Sequence, residues 1–247
     1  KRLSKKIGEC LSSEGIDYVF LKGLNGYRYN LFNFKERGIV DIDILINKQD
    51  LMKAIKVFKS IGFNTKEWDS FDSANDKIFR NPTLKHQDST SIIDIHTEVM
   101  SEVVTKDFLA NKNIYKSELL SGQFCSLENY FIHSFYHGTS KSVFNEGPIF
   151  VLDLIRFIES KKLNWDELID KVSRLKIKMS FSNVFSCLDD ICTVPKTVRE
   201  NPMISNYFDE AELSLLLYSA PYSSNISIIS EEKKEGVLKN ISNKIFK

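Results

Sequence analysis

The segment Gly38-Ile39-Val40-Asp41-Ile42-Asp43-Ile44-Leu45-Ile46 constrains this chain more than any other. Val40, Ile42, Ile44 and Ile46 fall to one side by count, and Ile39, Asp41, Asp43 and Leu45 to the other. That period of two is the repeat of a β-strand. One face is apolar throughout and has to be buried against a core. The other carries two acids between apolar neighbours, which is not how a simple solvated face reads. Such a strand needs a sheet around it and a reason for its acids.

The surroundings supply the sheet. Residues 1–14 read as an amphipathic helix, with Leu3, Ile7, Cys10 and Leu11 on one face and Glu14-Gly15 as its stop. Tyr18-Val19-Phe20-Leu21 is a short apolar strand ending at Lys22-Gly23, and residues 24–34 look helical. Asn47 and Asp50 predict a capped helix start, followed by Leu51, Ala54, Ile55, Phe58 and Ile61 at helical spacing up to Gly62. Further strands are expected over 63–68 and 77–80, with a polar loop at 69–76, and Ile92-Ile93-Asp94-Ile95-His96 is a strand with an acid inside it. After about residue 100 helical patterns take over, at 127–137, 148–161, 165–175 and 181–191, then 210–218 and 231–246. The expected fold is α+β: a mixed sheet with flanking helices over 1–115, then a helical domain over 116–247.

Asp41 and Asp43 are two apart in a strand, so their carboxylates point the same way, roughly 7 Å apart along it. Carboxylates that close repel unless a cation lies between them, and hard divalent ions take such oxygen ligands, often with substrate phosphates. A neighbouring strand carrying Asp94 would complete a set able to hold two ions, one lowering the pKa of an attacking hydroxyl and the other holding a triphosphate. The plainer reading of a D-x-D strand is a solvent-facing pair. The apolar setting of all three acids weighs against it, as does the strand-to-helix turn at Gly23. A glycine there lets backbone amides approach an anion closely, with Lys22 beside it to meet a phosphate.

Charge and cysteine content narrow the partners. With 34 basic and 33 acidic residues the net charge is +1, whereas grip on long nucleic acid usually needs a more basic chain. A short RNA or a tRNA end stays open. Cys10, Cys125, Cys187 and Cys192 are scattered with no C-x-x-C pair, which predicts reduced thiols in the cytoplasm. No run approaches a membrane span and no leader is visible.

Taken together, Phe20-Leu21-Lys22-Gly23, then Arg37-Gly38-Ile39-Val40-Asp41-Ile42-Asp43-Ile44-Leu45, then Ile61-Gly62-Phe63, then Ile93-Asp94-Ile95-His96 resemble the bacterial uncharacterised nucleotidyltransferase family of the polymerase-β-like superfamily. Its pattern reads L-K-G, R-x-x-x-D-I-D-h-L, h-G-F and h-D-h-H. His137-Gly138, Leu152-Asp153-Leu154 and Asn164-Trp165 extend the likeness, which covers roughly residues 16–190. The resemblance implies Asp41 and Asp43 as paired ligands of Mg²⁺ or Mn²⁺, and Asp94 as the third ligand, helping to activate an acceptor hydroxyl. Gly23 would lie on the triphosphate of an NTP such as ATP. One departure matters: well-understood members mostly carry Gly-Ser in this loop, where this chain has Gly23-Leu24, leaving Lys22 as the substitute.

Arg37, at the edge of the strand, is a candidate for triphosphate oxygens or a site carboxylate, and otherwise a surface arginine. His96 faces the same way as Asp94 and would orient the acceptor, hydrogen-bond a carboxylate, or serve only structure. His133 and His137 are four apart on a helix, but nothing completes a zinc set. Asp153 with Arg156 reads as an intrahelical pair, and Lys171, Arg174, Lys176 and Lys178 as a solvated face. The expected activity is NMP transfer from an NTP to an acceptor hydroxyl, on a small molecule, an RNA end or a protein, with release of pyrophosphate. The alternatives are a toxin-type transferase acting on a tRNA end or a protein side chain, and a nucleotide-binding regulatory module that keeps the fold without turnover.

Overall fold

A computed structural model of the chain describes residues 2–33, 38–64, 83–118, 120–141 and 148–175, with 177, 181, 184–185, 188 and 192–201. Arg37, the strand expected over 77–80 and the helices expected over 210–218 and 231–246 lie outside the described residues. The chain divides into two compact units, 1–133 and 134–247.

The first unit is built on a seven-stranded mixed sheet. In chain order it comprises α1 (Arg2–Ser13), β1 (Tyr18–Phe20), α2 (Gly23–Arg28), β2 (Asp41–Ile46), α3 (Leu51–Ser60), β3 (Phe63–Asn64), β4 (Thr83–His86), β5 (Ile92–His96), α4 (Glu102–Ala110), β6 (Lys112–Lys116) and β7 (Ser121–Cys125). The strand order is β3-β4-β5-β2-β1-β7-β6. β1 runs antiparallel to β2, β2 parallel to β5, and β1 parallel to β7. The two acid-bearing strands are therefore direct neighbours near the middle of the sheet.

Burial follows the sequence pattern. All of β1 is buried, and β2 is buried from Ile42 to Ile46 with only Asp41 half-buried. Such central strands are apolar because helices or loops cover both faces. α1 turns Ile7 and Leu11 fully inward and packs on β7 and α3. α3 contributes Ala54, Ile55 and Phe58, the last against Phe63 with ring centroids 6.4 Å apart. Burying one such aliphatic or aromatic side chain contributes roughly 1.5–3 kcal/mol. Gly62 ends α3 at φ +95, a conformation L side chains rarely adopt, and this is the physical content of the Ile61-Gly62-Phe63 motif.

Three local expectations are corrected. The helix expected over 24–34 closes after six residues, because Gly26 lies under the Phe32 ring and the chain folds back there. Neither Asn47 nor Asp50 makes a side-chain cap hydrogen bond; a short 3₁₀ turn, Lys48–Asp50, leads into α3 instead. The sheet also continues past residue 100, through the antiparallel pair β6–β7, which extends it to Cys125. Lys112–Lys116 is half-buried or exposed along its length and carries little apolar alternation, so no strand signal marks it.

α5 (Leu127–Tyr136) follows β7. In the second unit a π-type turn, His137–Lys141, precedes α6 (Pro148–Glu159) and α7 (Trp165–Arg174). Its core is aromatic: Phe135 lies 6.1 Å from Phe150 and 5.4 Å from Phe181, whose ring stacks on Phe185 at 4.3 Å. Asn164 caps α7 by accepting from the Glu167 amide, as its sequence position predicts. Arg156 reaches Glu159 at 3.9 Å, and Lys171 pairs with Glu167 and Arg174 with Asp170 along the exposed side of α7. Among the described residues no helix is long and apolar enough to cross a membrane.

Candidate active site

The register of β2 on β5 sets Asp43 directly beside Asp94, and Asp41 beside Ile92. Side chains paired across neighbouring strands point to the same face, and Asp41 shares it by the period of two. One carboxylate oxygen from each of Asp41, Asp43 and Asp94 therefore lies within 4.8 Å of the others. Two carboxylate charges that close repel by roughly 3 kcal/mol at the screening usual in protein sites.

Lys22 brings positive charge to the trio, and His96 brings a hydrogen-bonding ring nitrogen. The Lys22 ammonium lies 2.8 Å from Asp43 Oδ1, and His96 Nε2 lies 2.8 Å from that same oxygen. Asp43 is 2% exposed. Burial raises its pKa, but the His96 hydrogen bond and the Lys22 charge outweigh burial and hold the carboxyl at about 2. Asp41 goes the other way: burial first, then the charges of Asp43 and Asp94, push its pKa up despite Lys22. Asp94 Oδ1 is buried and has no hydrogen-bond partner among the described residues. A buried acceptor left unmatched is costly and uncommon.

These features fit a divalent cation. The donor set is three carboxylates, the hard oxygen chemistry that Mg²⁺ and Mn²⁺ favour, and the Asp94 oxygen meets no donor among the described residues.

The turn before α2 fixes Lys22. Its backbone sits at φ 44, ψ −124, a region that costs a side-chain-bearing residue about 1–3 kcal/mol. The left-handed conformation at this turn thus falls on the lysine and not on the glycine beside it. A Cβ on Gly23 would stand 3.3 Å from Ile39 Cγ1, so the glycine also serves close packing. The turn is pinned on both sides. The Leu21 amide donates to Asp43 O at 2.9 Å, and the Asn25 amide to Lys22 O at 3.0 Å. Asn25 is fully buried, donates its side-chain amide to Phe20 O at 2.5 Å and accepts from Cys125 Sγ at 3.3 Å. Nothing in the local pattern marks Asn25, because its partners come from β1 and β7. Leu24 is 4% exposed, so the residue replacing the usual serine belongs to the core.

His96 is backed from behind. Its ring lies perpendicular to that of His133 at 6.4 Å, and His133 is in turn 6.3 Å from Phe108 of α4. Of the residues singled out from sequence, Asp41, Asp43, Asp94, Lys22 and His96 lie together, with Gly23 next to Lys22 in the same turn. Arg37 lies outside the described residues.

No curated protein and no solved structure matches the chain. A family model does, over most of its length. With three strand-borne acids on neighbouring strands and that match spanning residues 2–192, the chain belongs to the uncharacterised nucleotidyltransferase family.

Proposed function

We propose that the protein transfers a nucleoside monophosphate from an NTP to an acceptor hydroxyl, using Mg²⁺ or Mn²⁺ held by Asp41, Asp43 and Asp94. The observation that carries this reading is the convergence of those three carboxylates, together with a buried Asp94 oxygen that has no hydrogen-bond partner among the described residues. Bound there, divalent ions supply charge neutralisation for the triphosphate and its leaving group. Asp94 accepts the proton of the acceptor hydroxyl, whose oxygen forms the new bond to the α-phosphorus. The bond between that phosphorus and the α–β bridging oxygen breaks, and pyrophosphate leaves with the electron pair. Lys22, Gly23 and Arg37 are assigned to the triphosphate. His96 holds Asp43 through Oδ1 and keeps that carboxylate oriented.

The test is label transfer. Protein incubated with cell extract and an NTP labelled at the α-phosphate should move label onto an acceptor, while γ-label should appear only in pyrophosphate. Asp94→Asn should slow turnover about 10²–10⁴-fold, the usual contribution of a positioned proton acceptor. Label passing from the γ-position, or full activity in Asp94→Asn, would reject this chemistry. The acceptor's class is read from the same experiment, because tRNA, protein and small molecules separate by size and by nuclease or protease digestion.

A further inference from the structure

Lys22 stands where a metal-bound site would least tolerate a cation. Its ammonium is 2.8 Å from Asp43 Oδ1, on a carboxylate assigned to the metal. Ions of the magnesium type sit about 2.1 Å from their oxygens, so one on Oδ1 would come within about 5 Å of the ammonium. A doubly charged ion and a lysine that close repel strongly, and burial of Asp43 limits how far solvent screens them. The backbone has little freedom to relieve this, because hydrogen bonds from the Leu21 and Asn25 amides pin the turn at both ends. The side chain does: it is 27% exposed and has four rotatable bonds.

We propose that Lys22 is a resident cation that keeps Asp43 neutralised until a metal–nucleotide complex arrives, when it exchanges its ion pair with Asp43 for one with the incoming phosphates. The site would then select the metal–NTP complex over the free metal ion, and bare divalent ions would bind weakly. The strained backbone at Lys22 fits this role, since the geometry fixes the point from which the ammonium reaches either partner. His96 remains on Asp43 throughout and preserves its orientation during the exchange. This inference rests on the metal-site reading above and adds the form in which metal enters.

The experiment uses the full chain, with Mn²⁺ alone and then the Mn²⁺–tripolyphosphate complex as probes, followed by calorimetry. Lys22→Met removes the charge while keeping the side chain's bulk; Lys22→Gly removes it in a residue suited to the backbone angle. Both should bind Mn²⁺ alone at least about tenfold more tightly than the unmodified protein, because the competing cation is gone. Both should bind Mn²⁺–tripolyphosphate more weakly, because the phosphates lose a partner. If neither variant binds Mn²⁺ alone more tightly than the unmodified protein, the proposal is overturned, and that includes no binding to any of the three. The metal-site reading itself falls only if the unmodified protein also fails to bind Mn²⁺–tripolyphosphate.

Discussion

Asp43 and Asp41 sit two residues apart on one strand, yet their surroundings push their proton affinities in opposite directions. Asp43 receives Lys22 and His96 on one oxygen, and its folded pKa of about 2 lies below the ordinary value of 3.8. A depressed carboxylate stabilises the fold above the unfolded pKa and loses that contribution as pH falls through the folded one. That gap is worth about 2 kcal/mol. Denaturant midpoints of the chelator-treated protein should therefore fall between about pH 4 and pH 2, and Asp43→Asn should flatten that window. An equally steep fall in Asp43→Asn would assign the acid sensitivity to other carboxylates. Asp41 has the reverse sign: its pKa is raised, so its ionised form costs stability at neutral pH. Asp41→Asn should raise the melting temperature of the metal-free protein by about 1–4 °C while removing Mn²⁺–tripolyphosphate binding. A lower melting temperature would mean that the carboxylate contributes to the fold after all.

At the scale of elements, the site depends on two neighbouring parallel strands and one short helix. β2 and β5 supply the acids in register, and the turn into α2 supplies Lys22. α2 is held by close approach rather than by length. Gly26 has the Phe32 ring where a Cβ would stand, at 1.9 Å. Gly26→Ala should therefore destabilise by about 1–3 kcal/mol in urea unfolding, since the ring or the helix has to shift. A shift of α2 moves Lys22, so the same variant should also weaken Mn²⁺–tripolyphosphate binding. Unchanged stability would show that the ring relocates freely.

For the whole molecule, all five clustered residues, Asp41, Asp43, Asp94, Lys22 and His96, lie in the first unit. The second unit has its own aromatic core around Phe135, Phe150, Phe181 and Phe185. Phe181 is fully buried there, and Phe181→Ala should cost about 3–5 kcal/mol. Its effect on Mn²⁺–tripolyphosphate binding should be small when measured below the unfolding transition. Loss of that binding in a folded Phe181→Ala protein would show that it depends on the second unit's core.

Local order was open to reading from the chain alone wherever one face had to be buried. Period-two alternation marked β2 and β5, and helical spacing marked α1 and α3, because apolar burial imprints the geometric repeat of each element. Gly62 was legible as a break and His96 as a companion of Asp94. β6 was not, since an exposed strand needs no apolar alternation, and the short span of α2 was not, since Phe32 ends it from outside. The sequence alone placed three acids on strands; which strands are neighbours, and in what register, is a long-range property that no local pattern encodes. Only the tertiary structure set Asp43 beside Asp94, left an Asp94 oxygen without a hydrogen-bond partner among the described residues, and put Lys22 on Asp43. The reason is electrostatic: three converging carboxylates draw in whatever cation the fold can bring within reach, and here the fold brings Lys22.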